Sequence, residues 1–267
     1  MTYSSVEAHR GRKPLGSRSV GAILVAVLAA GMLVTLVGGA AAAATTVPLG
    51  TANRFAVLAG SGITNTGPTT VTGDLGTYPT TTMTGTGSIT VNGTNHHGDA
   101  VTQEAKTDLV TAYNTAAGEG PTSPITADLG GQNLGPGVYE SASSIGLTGA
   151  LILNAHGHPS AHFVFQAGST LTTASASQVK LVNGAQACNV YWQVGSSATL
   201  GTGSTFRGTI LARTSITATT GASVYGRLLA RNGAVTLDTN MIHRSTCAVK
   251  EQHTTARPPK GHVGLTG

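Results

Sequence analysis

The stretch "TSITATTGASVYGRLLA" (214–230) repeats "SSATLGTGSTFRGTILA" (196–212) at a fixed interval, with Gly208 and Gly226 eighteen residues apart. Within one copy, apolar residues alternate with serine and threonine, which is typical of a strand with one buried face. Glycine-containing turns separate three such short strands. A period of this kind predicts one coil of a β-solenoid, in which each coil buries its apolar side against the next.

Less regular copies of the repeat occur at 63–76, 169–184 and 234–242. The intervals between copies differ, which indicates that some coils carry insertions. Aligned in this way, the copies predict two columns of outward threonine side chains. The columns are Thr170, Thr199, Thr217 and Thr236, and Thr173, Thr202, Thr220 and Thr239. The sequence leaves open whether the two columns share one face, because they are three residues apart.

One segment has helical rather than strand periodicity. Apolar residues recur at helical spacing within "DAVTQEAKTDLVTAYNTAAGEG" (99–120), and this spacing predicts an amphipathic α-helix at about 99–117. Asp99 is suited to the N-cap, and Gly118 to the position where the helix ends. The helix interrupts the repeats, and we expect its apolar stripe to pack on the flank of the solenoid.

Charge is scarce and evenly balanced in the repeat region. Charged residues make up 9% and aromatic residues 4% of the 267-residue chain, and low charge with abundant threonine, valine and glycine favours an all-β protein. The formal net charge of +5 comes from the termini, because residues 49–247 contain eight basic and eight acidic residues. Nucleic acid is not expected as a partner, since its recognition needs a basic stripe with interleaved aromatic residues.

The N-terminus has the features of an export signal. Basic residues precede an apolar run from Val20 to Val37, and small residues suited to signal peptidase cleavage follow near Ala44. We therefore predict a signal peptide at 1–44 and a secreted protein. The run of about 18 residues is also long enough to remain as an uncleaved anchor at the cell surface, so a membrane is expected only through this segment. The polar tail at 248–267 is expected to be disordered.

The two cysteines, Cys188 and Cys247, allow only one intramolecular pairing. In an oxidising compartment a disulfide is expected, and closing this loop would stabilise the fold by about 3–4 kcal/mol. The alternative is a pair of buried free thiols.

The chemistry of an enzyme is not evident in the sequence. Enzymes that cut polysaccharides need paired carboxyl groups, and here the acidic residues are scattered. His156, His158 and His162 could supply nitrogen ligands to a metal, but no acidic residue lies beside them and no cysteine is free. We therefore predict no enzymatic activity, no metal site and no cofactor.

The positive signal is the regular array of threonine. Stacked strands are about 4.7–4.9 Å apart, and alternate residues along a strand are about 6.6 Å apart. β-Branching restricts each threonine rotamer, so a solenoid presents methyl and hydroxyl groups on a flat lattice. Such a lattice could match the spacing of water in ice. The alternative is that threonine simply suits an exposed strand.

The sequence resembles the bacterial and fungal ice-binding protein family. The similar stretches are 49–79, 98–118, 137–157 and 163–240, which cover nearly all of 49–247. The resemblance implies a mainly all-β fold at 45–247. This fold is a right-handed, triangular, discontinuous β-solenoid with a long α-helix packed alongside, and its first and last coils pair irregularly. It also implies a face with a loose Thr-Ala/Gly-x-Thr/Asn pattern that holds ice.

Carried over to this chain, that pattern defines candidate ice-binding residues. They are Thr66, Thr69, Thr84, Thr148, Thr173, Thr202, Thr205, Thr220 and Ser223. The column of Thr170, Thr199, Thr217 and Thr236 is the second choice. We expect a secreted monomer that adsorbs to ice or ordered water and inhibits ice growth and recrystallisation. The alternatives are a structural or adhesive surface protein without ice activity and, third, a polysaccharide-acting enzyme.

Overall fold

The computed structural model describes residues 44–248, which belong to one compact unit. Apart from Ala44 and Ala248, the predicted signal peptide at 1–44 and the predicted tail at 248–267 lie outside the described residues. No helix between residues 44 and 248 is long and apolar enough to cross a membrane.

The described residues form 22 short strands and one α-helix, α1 (Ala100–Gly118). The strands in chain order are β1 (Phe55–Ala59), β2 (Gly62–Thr66), β3 (Thr69–Thr72), β4 (Asp74–Thr77), β5 (Met83–Thr84), β6 (Ile89–Asn92), β7 (Asn95–His96), β8 (Ser123–Pro124), β9 (Asn133–Leu134), β10 (Gly137–Ser141), β11 (Ile145–Leu147), β12 (Ala150–Asn154), β13 (Phe163–Ala167), β14 (Leu171–Thr173), β15 (Gln178–Val182), β16 (Val190–Val194), β17 (Ala198–Leu200), β18 (Thr205–Ala212), β19 (Ile216–Ala218), β20 (Ser223–Ala230), β21 (Ala234–Asp238) and β22 (Met241–His243). Three short 3-10 segments lie at Gly50–Arg54, Thr86–Ser88 and Ala187–Asn189.

Each coil of the solenoid contributes strands to three faces. The threonine face consists of β2, β5, β11, β14, β17, β19 and β21. The helix face consists of β1, β4, β7, β8, β10, β13, β16 and the second halves of β18 and β20. The charged face consists of β3, β6, β9, β12, β15, β22 and the first halves of β18 and β20. The two long strands turn from the charged face onto the helix face at Gly208 and Gly226, which pair with each other.

The order of the coils in space differs from their order in the chain. Along the threonine face the strands follow the order β11-β14-β17-β19-β21-β2-β5. The last of these strands in the chain, β21, therefore pairs in parallel with the first, β2, and Thr236 lies beside Thr64. This arrangement confirms the discontinuous β-solenoid that the resemblance implies.

The register confirms the eighteen-residue repeat and corrects one alignment. All eight residues of β18 pair with β20, from Thr205 opposite Ser223 onward. In the preceding coil, Thr172 and not Thr170 lies beside Thr199. The true interval is therefore 27 residues rather than 29, and the alignment predicted from sequence was wrong by two residues.

An apolar core fills the inside of the solenoid along its length. Aromatic rings from successive coils stack there: the ring centroids of Phe165 and Trp192 are 4.0 Å apart, and those of Trp192 and Phe206 are 5.1 Å apart. Offset contacts of this kind add stability beyond the apolar area that they bury. The Trp192 indole also donates a hydrogen bond to the Arg207 carbonyl at 3.1 Å, so no polar group of this ring is left unpaired.

The predicted helix is present and covers the helix face. The Asp99 side chain caps it by accepting a hydrogen bond from the Thr102 amide at 2.9 Å. Ala105, Leu109 and Ala112 are fully buried in a second apolar core between the helix and the strands. Because the helix covers this face, the threonine face and the charged face are the two faces of residues 44–248 that remain open to a large ligand.

The predicted disulfide between Cys188 and Cys247 is present, with a Cα–Cα distance of 5.4 Å. It joins the start of β16 to the end of the described chain. Beside it, the buried Arg227 side chain donates hydrogen bonds to the Ser245 carbonyl at 2.9 Å and to the Asn53 side chain at 2.6 Å. These contacts hold both ends of the described chain against the helix face.

Candidate functional site

A continuous column of threonine side chains runs along the middle of the threonine face. Every member follows an inward apolar residue, and the column spans six consecutive strands. Its members, in spatial order, are Thr172, Thr199, Thr217, Thr236, Thr64 and Thr84. Gly146 occupies the same position in the strand beyond Thr172. All six threonines are exposed or half-buried, so their methyl and hydroxyl groups face solvent.

Two further columns of small residues flank the middle one, two positions away on either side. On the N-terminal side they are Ser144, Thr170, Ser197, Ser215, Ala234, Gly62 and Thr82, and on the C-terminal side Thr148, Ala174, Gly201, Thr219, Asp238, Thr66 and Thr86. Asp238 is the one ionisable residue of the three columns. Its carboxylate accepts hydrogen bonds from the Thr220 and Thr239 hydroxyls, so this charge is already partnered within the protein.

The lattice is rigid because the opposite side of each strand is anchored in the core. Ile216 and Ala218, on either side of Thr217, are fully buried. The strands are hydrogen-bonded in parallel on both sides, and β-branching limits the rotation of each threonine. The columns therefore keep spacings of about 4.7–4.9 Å between strands and about 6.6 Å along a strand. The Thr84 hydroxyl donates to the Thr64 hydroxyl at 3.2 Å, which fixes the end of the column.

The first-choice candidates are distributed over three regions. Thr84 lies in the middle column, and Thr66 and Thr148 lie in the C-terminal column of the same face. Thr202 and Thr220 are exposed in the turns that lead from the threonine face to the charged face. Thr205 and Ser223 begin β18 and β20 and belong to the charged face. The structure therefore does not bring the nine candidates onto one plane.

Thr69 and Thr173 are buried, with exposed fractions of 1% and 3%. The Thr69 hydroxyl accepts a hydrogen bond from the Asn240 amide, and the Thr173 hydroxyl accepts one from the Gly201 amide at 2.9 Å. Both side chains stabilise neighbouring turns from inside. The prediction that these two threonines contact ice is therefore wrong, because neither side chain can reach a ligand on the surface.

The second-choice column lies on the threonine face. Thr199, Thr217 and Thr236 are in the middle column, and Thr170 is in the N-terminal column, where its hydroxyl donates to the Ser144 hydroxyl at 2.8 Å. Sequence reasoning missed Thr172 and Thr64. Both threonines directly follow an inward apolar residue, as Thr172 follows Leu171, and this local pattern could have identified them.

The charged face is unsuited to a flat, uncharged ligand. Its outward side chains include Lys180, Arg207, Tyr225 and His243. The Arg207 guanidinium lies 5.3 Å from the centroid of the Tyr225 ring. These bulky side chains interrupt any lattice of small residues.

Lys106 and His162 have shifted pKa values and lie away from the threonine face, whereas Asp128, whose pKa is lowered by hydrogen bonds from Thr148 and Gly130, borders that face beside Gly146. Burial lowers the pKa of Lys106 to about 7, and the nearby Arg231 charge acts in the same direction. The Lys106 amine donates to the Ala230 and Arg231 carbonyls at 2.6 Å each, so it ties α1 to the solenoid. Burial also lowers the pKa of His162, whose ring is 3.1 Å from the Thr46 hydroxyl. Among residues 44–248 there is no group of three His, Cys, Asp or Glu side chains placed to hold a metal ion.

Comparison with known proteins identifies the family. The Ice-binding-like family model matches residues 57–243. An ice-binding protein of Nostoc sp. (strain HG1) is 50% identical over 222 residues, covering 82% of each chain. An ice-binding protein of Colwellia sp. is 36% identical over 219 residues, covering 75% of this chain and 84% of the relative.

Solved structures of ice-binding proteins support the same family assignment. The crystal structure of an ice-binding protein from an Antarctic biological consortium is 47% identical, with a TM-score of 0.76, and covers 78% of this chain and 95% of that chain. The ice-binding protein of the ascomycete Antarctomyces psychrotrophicus is 41% identical, with a TM-score of 0.73, and covers 76% of this chain and 100% of that chain. A repeat that builds a discontinuous solenoid, a helix along one face and a match over residues 57–243 together show that this chain belongs to the ice-binding-like family.

Proposed function

We propose that this protein binds ice through the threonine face and thereby inhibits ice growth and recrystallisation. The observation that carries the proposal is the unbroken column of six threonines, flanked on both sides by small residues and by a single, already partnered charge. Family membership supports the same function, because the relatives described above are named ice-binding proteins.

Binding requires no reaction and no cofactor. Ice is a periodic ligand that exceeds the protein in size, so recognition depends on a flat surface with regular spacing. Each threonine offers a methyl group, around which water orders, and a hydroxyl group that can take the place of a water molecule. A protein held at the growth front forces the ice to grow between neighbouring bound molecules, and growth slows as the front curves.

We expect the protein to act outside the cell and as a monomer. The predicted export signal and the disulfide between Cys188 and Cys247 both suit an extracellular protein. One threonine face is sufficient to adsorb, so the proposal needs no second copy.

The proposal is tested with two matched pairs of substitutions. Thr199→Tyr with Thr217→Tyr places two bulky rings in register at the centre of the threonine face. Thr70→Tyr with Thr90→Tyr places the same two rings in register on the charged face. Ice recrystallisation inhibition and thermal hysteresis are measured for the parent and both variants, with circular dichroism to verify folding.

We expect the first variant to lose at least tenfold in recrystallisation activity while it stays folded, and the second to keep the parent's activity. Equal activity of both variants would contradict the assignment of the face. A folded parent without activity at high concentration would contradict ice binding itself and leave a structural or adhesive surface protein as the remaining explanation.

A further inference from the structure

A second open surface, on the charged face, has a cleft that ice binding does not use. β15 pairs with β18 only at Gln178 opposite Thr205. Beyond that point β18 turns at Gly208 onto the helix face, whereas β15 continues along β12. The cleft opens where the two strands separate and has a volume of about 450 Å³.

The cause of the cleft is a change in coil length. Thr199 and Thr217 are eighteen residues apart, whereas Thr172 and Thr199 are 27 residues apart. The extra residues of the longer coil are the part of β15 after Gln178 and the connection to β16, whereas in the shorter coil β18 runs directly from Thr205 to its turn at Gly208. The cleft is therefore part of the solenoid framework rather than a feature of a single loop.

The lining of the cleft is cationic. It consists of Gln178, Val179, Lys180, Leu181, Val182, Thr205 and Arg207, with no acidic residue among them. In the described part of the chain neither Lys180 nor Arg207 forms an ion pair. The ring of Tyr225 lies against the Arg207 guanidinium at 5.3 Å and restricts its motion.

We propose that this cleft binds a carboxylate-bearing polysaccharide. Lys180 on β15 and Arg207 on β18 supply one positive charge from each of the two strands that border the cleft. An arginine can match a carboxylate with two parallel hydrogen bonds. The Gln178 amide and the Thr205 hydroxyl supply neutral hydrogen bonds of the kind that sugar hydroxyls need. Outside the lining, the partly exposed ring of Tyr225 beside Arg207 offers an apolar surface for a sugar ring.

The geometry favours an acidic sugar chain over other anionic polymers. Single-stranded nucleic acid needs a series of aromatic side chains for successive bases, whereas no aromatic residue lines this cleft and Tyr225 lies beside Arg207 alone. The cleft lies open on the surface, so an extended polymer can reach Lys180 and Arg207 from solvent. The threonine face lies on a different side of the coil, so one molecule can hold ice and polymer together. This inference does not depend on ice binding.

The test measures binding of polygalacturonate to the full chain at low salt, by calorimetry or by retention on an immobilised polymer. Dextran serves as the neutral polymer. The variant Lys180→Gln with Arg207→Gln removes both cations of the cleft. The matched control, Arg213→Gln with Lys250→Gln, removes the same net charge elsewhere in the chain. Single-stranded DNA is measured beside polygalacturonate.

We expect the parent and the control to bind polygalacturonate but not dextran, with affinity that falls as salt is raised. The cleft variant is expected to lose at least tenfold in affinity and to keep its ice activity. No binding by the parent, equal loss in variant and control, or tighter binding to DNA than to polygalacturonate would each overturn the proposal. The last two results would assign the interaction to general positive charge or to nucleic acid.

Discussion

The corner of the coil provides the most direct test of how the repeat specifies the fold. Gly226 lies where β20 turns onto the helix face, directly beside Gly208 in β18. A methyl group at Gly226 would overlap the carbonyl oxygen of Gly208 and lie 2.5 Å from its carbonyl carbon. Both atoms belong to the backbone of a paired strand, so they cannot rotate away as a side chain could. The substitution Gly226→Ala therefore forces the two coils apart.

The expected cost is at least about 3 kcal/mol, the upper part of the usual range for overpacking a core. For a domain of this size, that corresponds to a melting temperature lower by roughly 6–12 °C.

Thermal unfolding is followed by circular dichroism under non-reducing conditions, so that the disulfide is intact in every sample. Gly87→Ala is the matched control, because a methyl group there meets no atom within 4 Å, and it is expected to change stability by less than about 1 kcal/mol. If Gly226→Ala melted within about 2 °C of the parent, the reasoning would be refuted, since the coils would then separate without measurable cost.

Two further predictions concern the helix cap and the edge of the threonine face. Hydrogen bonds from His96 and Thr102 hold the pKa of Asp99 at about 2. Its stabilising contribution is therefore fully present above about pH 4 and is lost as pH falls through about 2. Asp99→Ala should lower the free energy of unfolding by about 1 kcal/mol at pH 7. Between pH 4 and pH 2 the melting temperature of this variant should fall less steeply than that of the parent. An equally steep fall would contradict the role of this carboxylate. Thr202→Tyr with Thr220→Tyr, in the turns between the threonine face and the charged face, should reduce ice recrystallisation inhibition only partly. Complete loss of inhibition would show that the ice-binding surface is centred on these turns instead.

The sequence was sufficient to predict the class of fold and the helix. The eighteen-residue repeat in 196–230 has no insertion, so inward and outward positions could be counted directly, and the pairing of β18 with β20 confirms that count. Asp99 and Gly118 carry local signals whose effect does not depend on the rest of the fold, and the helix runs from Ala100 to Gly118.

The residues of the threonine face could be predicted only in part, because their register depends on long-range pairing. The coil before Thr199 contains runs such as Leu171-Thr172-Thr173, in which threonine fills both outward and inward positions. Thr173 is buried, and its hydroxyl accepts a hydrogen bond from the backbone amide of Gly201 in the next coil. No local sequence pattern reveals that partner. Thr64 joins the column only because β21 pairs with β2, which lies about 170 residues earlier in the chain.

The dimensions of the threonine face explain why a central substitution is the decisive one. Seven strands at about 4.8 Å and three columns at about 6.6 Å give a lattice of roughly 29 Å by 13 Å. Thr199 and Thr217 occupy the third and fourth of the seven positions in the middle column. A tyrosine ring there is expected to hold the proposed ice surface away from ice on all sides. A ring in the turns at Thr202 and Thr220 is expected to leave most of the lattice in contact. If ice contacts the face as a rigid plane, as we propose, loss of affinity should follow the position of the substitution rather than the number of hydroxyl groups removed.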